Sequence, residues 1–126
     1  MIDFSDDDLL RSKLVEPGWY LIDLGSYEET LSKAGDSTNM VFSDSKILKN
    51  VETASEEFQG VPVRVGFNTK AKGFVVGFLK AMGVTVTKGT RYDLGAFSGR
   101  QVVAFVGNTE YNGNMINNVE SKFKPA

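Results

Sequence analysis

A run of six residues, QVVAFV at 101–106, carries apolar side chains on both faces of an extended strand. The even-numbered residues fall on one face, and Val103 and Phe105 fall on the other, because successive side chains of a strand point to opposite sides. A protein core explains one apolar face of a strand. We therefore expect the second face, which also holds Phe105, to contact something else.

Other segments show the same alternation and are separated by glycine, proline and asparagine. In residues 60–68, GVPVRVGFN, three valines and Phe67 line one face and Arg64 lies on the other. Such runs are typical of strands with one buried face. Strands are therefore predicted at 19–24, 39–45 and 60–68, with a further segment near 46–52 and two strands joined by a Gly-Asn-rich connection within 97–119.

One segment, residues 69–83, has helical spacing instead. Phe74, Phe78 and Met82 recur on one side, and Gly83 can end the helix. Phenylalanines at such positions are most often buried. The phenylalanines predicted to lie in the core are Phe42, Phe67, Phe74 and Phe78.

The order strand, strand, strand, helix, strand, strand predicts a mainly β fold. A five-stranded OB-like barrel, with the helix between strands 3 and 4 plugging one end, is the simplest closure of this order. A short N-terminal helix is predicted at 6–14, within an acidic lead that spans residues 1–16. The 126 residues show no linker and no internal repeat, so one domain, 1–126, is expected.

The chain has no long apolar run, and its first residues, MIDFSDDDLL, lack the basic head and apolar centre of a signal peptide. The absence of cysteine agrees with a reducing compartment. We therefore expect a cytoplasmic protein with no membrane segment.

The sequence contains no His and no Cys, which excludes Ser-His-Asp and Cys-His catalysis and zinc sites built on thiolate or imidazole. We expect no catalytic residue, no metal site and no cofactor, and hence no enzymatic activity. The acids Asp6, Asp7 and Asp8 follow Ser5 and precede Leu9. We interpret them as the first turn of a capped helix rather than as magnesium ligands.

The charges are unevenly distributed along the chain. Residues 1–59 hold five Lys or Arg against thirteen Asp or Glu, whereas residues 60–107 hold seven basic residues against one acid, Asp93. A basic stretch of this kind is typical of a polyanion-binding surface. The alternative, in which the acidic and basic segments pair with each other across the fold, stays open.

Aromatic and basic side chains recur on the predicted outer face and beside it. Single-stranded nucleic acid requires both, because every base has a π-face and every linkage carries a charge. Lys70 and Lys72 lie near the start of the predicted helix, where a phosphate can be held. The candidate contact residues are Trp19, Lys33, Arg64, Lys70, Lys72, Arg100, Phe105 and Tyr111.

Two of these aromatic residues have a second interpretation. Trp19 follows Pro-Gly at the start of a strand and can instead pack beneath one end of the barrel. Phe105 can cover the N-terminal helix or form an oligomer contact. Both interpretations stay open on the sequence.

Three stretches carry a likeness to a known family: EPGWYLIDL, LSKAGDSTNMVFS and LGAFSGRQVVAFVGNTEYNGNMINNVESKFKP. Together they resemble the phage-encoded OB-fold single-stranded-DNA-binding proteins over most of residues 16–125. The barrel interpretation places contact loops at 31–38 and 107–113, and the resemblance implies contacts by Trp19, Lys33 and Arg100. Cellular proteins of this type commonly end in an acidic, partner-recruiting tail. This chain ends in SKFKPA, and its acidic run lies at residues 3–8.

From these observations we expect sequence-tolerant binding of single-stranded DNA in phage replication or recombination, in the host-cell cytoplasm. Binding would act by aromatic stacking and phosphate neutralisation. A replication or recombination protein and a second copy of the chain are compatible partners. The alternative is a protein-interaction module or virion component that uses the same barrel face. A magnesium-dependent nuclease is a more distant third, because its carboxylates have no recognisable spacing.

Overall fold

The computed structural model describes residues 1–126 and contains two α-helices and seven strands. The helices are α1 (Asp6–Arg11) and α2 (Lys72–Ala81), and single 3₁₀ turns lie at Thr69–Ala71 and Leu94–Phe97. The strands are β1 (Gly18–Asp23), β2 (Ser26–Leu31), β3 (Thr38–Ser43), β4 (Lys46–Asn50), β5 (Val65–Asn68), β6 (Gln101–Tyr111) and β7 (Asn114–Lys124). Neither helix is long and apolar enough to cross a lipid bilayer.

The mainly β prediction and both predicted helices are confirmed. The strands form two antiparallel sheets, with the orders β4-β1-β6-β7 and β2-β3-β5. The predicted barrel has five strands, whereas the structure has seven, in two sheets that are not closed into one. Isolated bridges join Lys46 to Pro62 in antiparallel fashion and Arg64 to Asn118 in parallel. The residues just before β5 therefore contact both edge strands of the four-stranded sheet, β4 and β7.

The additional strands arise from two bends that lie side by side. A Cβ atom on Gly25 would lie 1.7 Å from the backbone oxygen of Ser43, so only glycine permits this approach. The buried Ser45 hydroxyl accepts the Gly25 N–H at 3.1 Å and donates to the Phe42 carbonyl at 2.8 Å. The bends divide one long hairpin into the pairs β1–β4 and β2–β3, which belong to different sheets.

Helix α2 packs its buried face into a cluster of aromatic rings. Phe78 is fully buried. Its ring centroid lies 5.3–5.8 Å from those of four other phenylalanines, which are Phe42, Phe67, Phe97 and Phe123. The prediction of a buried Phe42, Phe67 and Phe78 is confirmed. The prediction for Phe74 is wrong, because this side chain is 51% exposed on the solvent side of the helix.

The N-terminal residues form a capped helix and, after it, an anchored strap at residues 13–15. The Ser5 hydroxyl and the Asp8 carboxylate cap each other's backbone N–H, which confirms the predicted helix start. No residue of α1 is buried. The strap after it is held by the buried Asn117 amide, which accepts the Val15 N–H at 2.9 Å and donates to the Lys13 and Pro62 carbonyls.

Both predicted contact loops are shorter than expected. The segment predicted as the loop 31–38 is a loop only at 32–37, because its two ends pair as strands. The segment predicted as the loop 107–113 is mostly strand: β6 continues to Tyr111, and only Asn112 and Gly113 form the turn. Both turn residues have positive φ, at 51° and 82°, as a tight hairpin turn requires.

Removing the Phe78 ring should destabilise the fold severely, because the ring contacts both sheets and the cavity left behind cannot collapse easily. We expect Phe78→Ala to lower the free energy of unfolding by about 3–5 kcal/mol. The matched control is Phe74→Ala, one turn earlier on the exposed side, which should change it by no more than about 0.5 kcal/mol. Urea denaturation followed by circular dichroism measures both, and equal losses would contradict this description of the core.

Candidate functional site

Two aromatic rings meet on the outer face of the four-stranded sheet. Trp19 and Phe105 are direct partners in the β1–β6 register, and their rings pack edge to face with centroids 5.6 Å apart. Both side chains are half-buried. Trp19 alternates with the buried Tyr20 and Ile22, so it points away from the core rather than beneath the end of a barrel.

Two lysines from β7 lie over these rings. The Lys124 ammonium is 4.0 Å from the centroid of the Trp19 ring, and the Lys122 ammonium is 5.3 Å from that of Phe105. Both distances are within the range of cation–π attraction. We call the group formed by Trp19, Phe105, Lys122 and Lys124 the aromatic–lysine surface.

An irregularity in β7 positions Lys122. From the hairpin turn to Val106↔Val119 the β6–β7 register is regular, but it then shifts by two residues, to Ala104↔Phe123. Ser121 lies within the shift with a φ of 61°, in the left-handed region. An uninterrupted register would place Glu120 opposite Phe105. The bulge replaces this carboxylate with a cation.

Glu120 is instead turned toward Gly107. Its Oε1 atom lies 2.0 Å from the position that a Cβ atom would occupy on Gly107, so the carboxylate uses the space that a side chain would fill. Because Gly107 follows Phe105 on the same face of β6, an acidic group adjoins the aromatic–lysine surface on one side.

A second pairing of an aromatic ring with a cation lies farther along β6. The Arg64 guanidinium is 5.3 Å from the centroid of the Tyr111 ring, and it also donates to Asn118 Oδ1 at 3.4 Å. The Arg64 side chain lies flat over Gly66, with guanidinium atoms 2.8 Å from the position of a Cβ atom there. Tyr111 follows Phe105 by six residues, or roughly 20 Å of extended strand.

The other four predicted contact residues lie apart from these two groups. Lys33 is exposed in the loop 32–37. Lys70 forms an ion pair with Asp36 of the same loop. The Lys70 ammonium, and to a smaller extent the Ser32 hydroxyl, hold the pKa of the Asp36 carboxyl below its usual value.

Arg100 and Lys72 have different surroundings again. The Arg100 guanidinium lies 5.3 Å from the centroid of the Phe97 ring, just before β6 begins. Lys72 is exposed at the start of α2, beside an apolar groove. The eight predicted residues therefore occupy several places, and only the pairs Trp19–Phe105 and Arg64–Tyr111 are in mutual contact.

Most cations of the basic stretch have no acidic partner. The chain contains two ion pairs, Arg11–Asp7 and Lys70–Asp36. Of the seven basic residues in 60–107, only Lys70 is thus paired. The alternative in which the acidic and basic segments neutralise each other across the fold therefore holds for one contact only.

Lys122 and Lys124 were not among the predicted contact residues, because residues 108–126 carry as many acids as bases and form no basic stretch. Alternation along the last strand would have placed them on one face with Glu120. The sequence does not predict the bulge that separates the two lysines from Glu120, since serine seldom adopts the left-handed conformation that Ser121 has here.

No group of three carboxylates lies close enough together to hold a metal ion. The sequence matches no protein-family model and no curated protein.

Removing Lys124 should expose the Trp19 ring, because the lysine side chain lies across its face. We expect Lys124→Ala to increase the quenching of Trp19 fluorescence by acrylamide, while Lys33→Ala, an exposed lysine with no aromatic contact, leaves it unchanged. Trp19 is the only tryptophan, so the signal has one source. Equal quenching in the wild type and in both variants would contradict the contact.

Proposed function

We propose that the chain binds single-stranded DNA with little sequence preference, and that the aromatic–lysine surface is its principal contact. The observation that carries the proposal is the pair of half-buried rings, Trp19 and Phe105, with an ammonium group over each. Base stacking and phosphate neutralisation require these two kinds of group at close quarters.

Lys122 and Lys124 can each exchange a contact with an aromatic ring for a contact with a phosphate when DNA binds. In the free protein Lys124 covers the Trp19 ring, and a base that stacks there displaces the ammonium from the ring face. The displaced cation stays on the same strand, next to the linkage that follows the base. Each exchange replaces one cation–π contact with a stacking contact and a phosphate contact, neither of which depends on the identity of the base.

The pair Arg64–Tyr111 supplies a second contact on the path of the strand. It repeats the combination of one ring and one cation at the far end of β6. With roughly 20 Å between Phe105 and Tyr111 along the strand, several nucleotides span the two points, in keeping with the site sizes of single-strand-binding domains.

We propose further that the seven strands correspond to the five strands of an OB-like barrel. In this arrangement β1 with β2 forms the first long strand, β3 with β4 the second, residues 62–68 the third, β6 the fourth and β7 the fifth. The bridges Lys46↔Pro62 and Arg64↔Asn118 support it, because they lie where the two sheets would join. The position of α2 between the third and fourth strands agrees with this order.

The biological setting of the proposal is the protection of unwound strands in phage replication or recombination, without catalysis. The resemblance of residues 16–125 to phage single-strand-binding proteins supports this setting. A replication or recombination protein is the partner class that it implies.

Salt dependence tests the role of the two lysines. Affinity for single-stranded oligonucleotides should fall as salt rises, with a log–log slope of about −0.7 for each neutralised phosphate. The double variant Lys122→Ala/Lys124→Ala should therefore have a slope smaller in magnitude by about 1.4. The control Lys80→Ala/Lys88→Ala removes the same charge away from the surface and should keep the wild-type slope. Equal slopes for all three proteins would exclude the aromatic–lysine surface.

Stacking is tested by the rings themselves. Addition of poly-dT should quench Trp19 fluorescence, and Trp19→Ala and Phe105→Ala should each weaken binding by about 1–3 kcal/mol in a fluorescence-anisotropy titration. Circular dichroism shows whether each variant stays folded. The control is Phe74→Ala, an exposed ring outside the surface. Folded variants with wild-type affinity would favour a protein-interaction module that binds another chain at this face.

A further inference from the structure

The first nine residues present apolar side chains to solvent. Ile2 is 77% exposed, Phe4 70% and Leu9 58%. The three line one shallow depression, so they share a side of the segment. A soluble monomer seldom leaves three large apolar side chains together in water. We call residues 1–9 the N-terminal segment.

The same segment is acidic, with aspartates at positions 3, 6, 7 and 8 and no basic residue. Asp7 pairs with Arg11, and Asp8 caps the helix through Ser5. Asp3 and Asp6 make no ion pair within the chain. The segment therefore offers an apolar side together with free carboxylates.

A groove beside α2 has the complementary character. It has a volume of about 380 Å³ and is lined mainly by apolar side chains, with the buried Leu79 and Leu94 among them. Lys72 and Arg91 stand at its rim, and both are exposed and free of ion pairs. The other lining residues are Met40, Thr69, Val75, Val76, Val86 and Tyr92.

A chain does not fill its own groove in this structure. None of the residues that line the groove belongs to the N-terminal segment. Asp7 of this segment borders a different depression, which is lined by Asp44, Lys46 and Pro62 among others. The segment therefore does not line the groove of its own chain, and the groove of another molecule is free to receive it.

We propose that two copies of this chain associate by exchanging N-terminal segments, each docked in the groove of the other copy. Ile2, Phe4 and Leu9 bury their apolar surface against the lining of the groove. Asp3 and Asp6 meet Lys72 and Arg91 at its rim. The exchange is reciprocal, so the pair has two-fold symmetry and closes without leaving a free segment or a free groove.

Complementary variants test the exchange. The segment variant Phe4→Ser/Leu9→Ser keeps an intact groove, and the groove variant Lys72→Glu/Arg91→Glu keeps an intact segment. By sedimentation velocity we expect a concentration-dependent dimer for the wild type and a monomer for each variant alone. An equimolar mixture of the two variants should form a heterodimer, weaker than the wild-type dimer, because one of its two docking contacts is restored.

The control variant Lys33→Glu/Lys80→Glu changes the charge by the same amount outside the groove and should dimerise as the wild type does. Circular dichroism verifies that every variant is folded. A wild-type protein that stays monomeric up to several hundred micromolar would overturn the proposal. Variants that dimerise as well as the wild type, or a mixture that stays monomeric, would overturn it equally.

Discussion

The contact on which the rest of the structure depends is the packing of four aromatic rings around Phe78. Phe42 and Phe67 come from the three-stranded sheet, and Phe123 comes from the four-stranded sheet. One side chain of α2 therefore fixes the two sheets relative to each other. Ring pairs at these distances add to the burial of apolar area, because their edges and faces attract. With the inner faces held in this way, the alternation of each strand determines which side chains are displayed outside.

The sequence predicted the inner faces well, because alternation is a direct consequence of strand geometry. The valines and Phe67 of 60–68 are buried as expected, as are the even-numbered residues of QVVAFV. Strand β2 escaped prediction because its side chains are mostly exposed on both faces and carry no apolar alternation. Phe74 was placed wrongly because the solvent side of α2 includes Gly73 and Gly77, with no neighbouring atoms within 4 Å of either Cβ position, so nothing packs over that side.

The candidate site was predictable in its rings but not in its cations. Trp19 and Phe105 meet because both lie on the outer face of adjacent strands, which alternation alone indicates. The cations above them come from a part of the chain with no net charge, and they arrive through a bulge at Ser121. The basic stretch 60–107 drew attention to Arg64, whose ring partner Tyr111 was expected in a loop and lies at a strand end. The net charge of a sequence segment therefore does not indicate which cations the fold brings together on one surface.

The Asn117 amide has a consequence for the order in which the molecule folds. It joins positions 102 residues apart in its bond to Val15, so it closes nearly the whole chain into a loop. Closing so long a loop carries an entropic cost that is offset only once the intervening strands are in place. During synthesis Val15 leaves the ribosome 102 residues ahead of Asn117. The strap therefore waits, unpaired, until strands β1 to β6, which lie between the two residues, have been made.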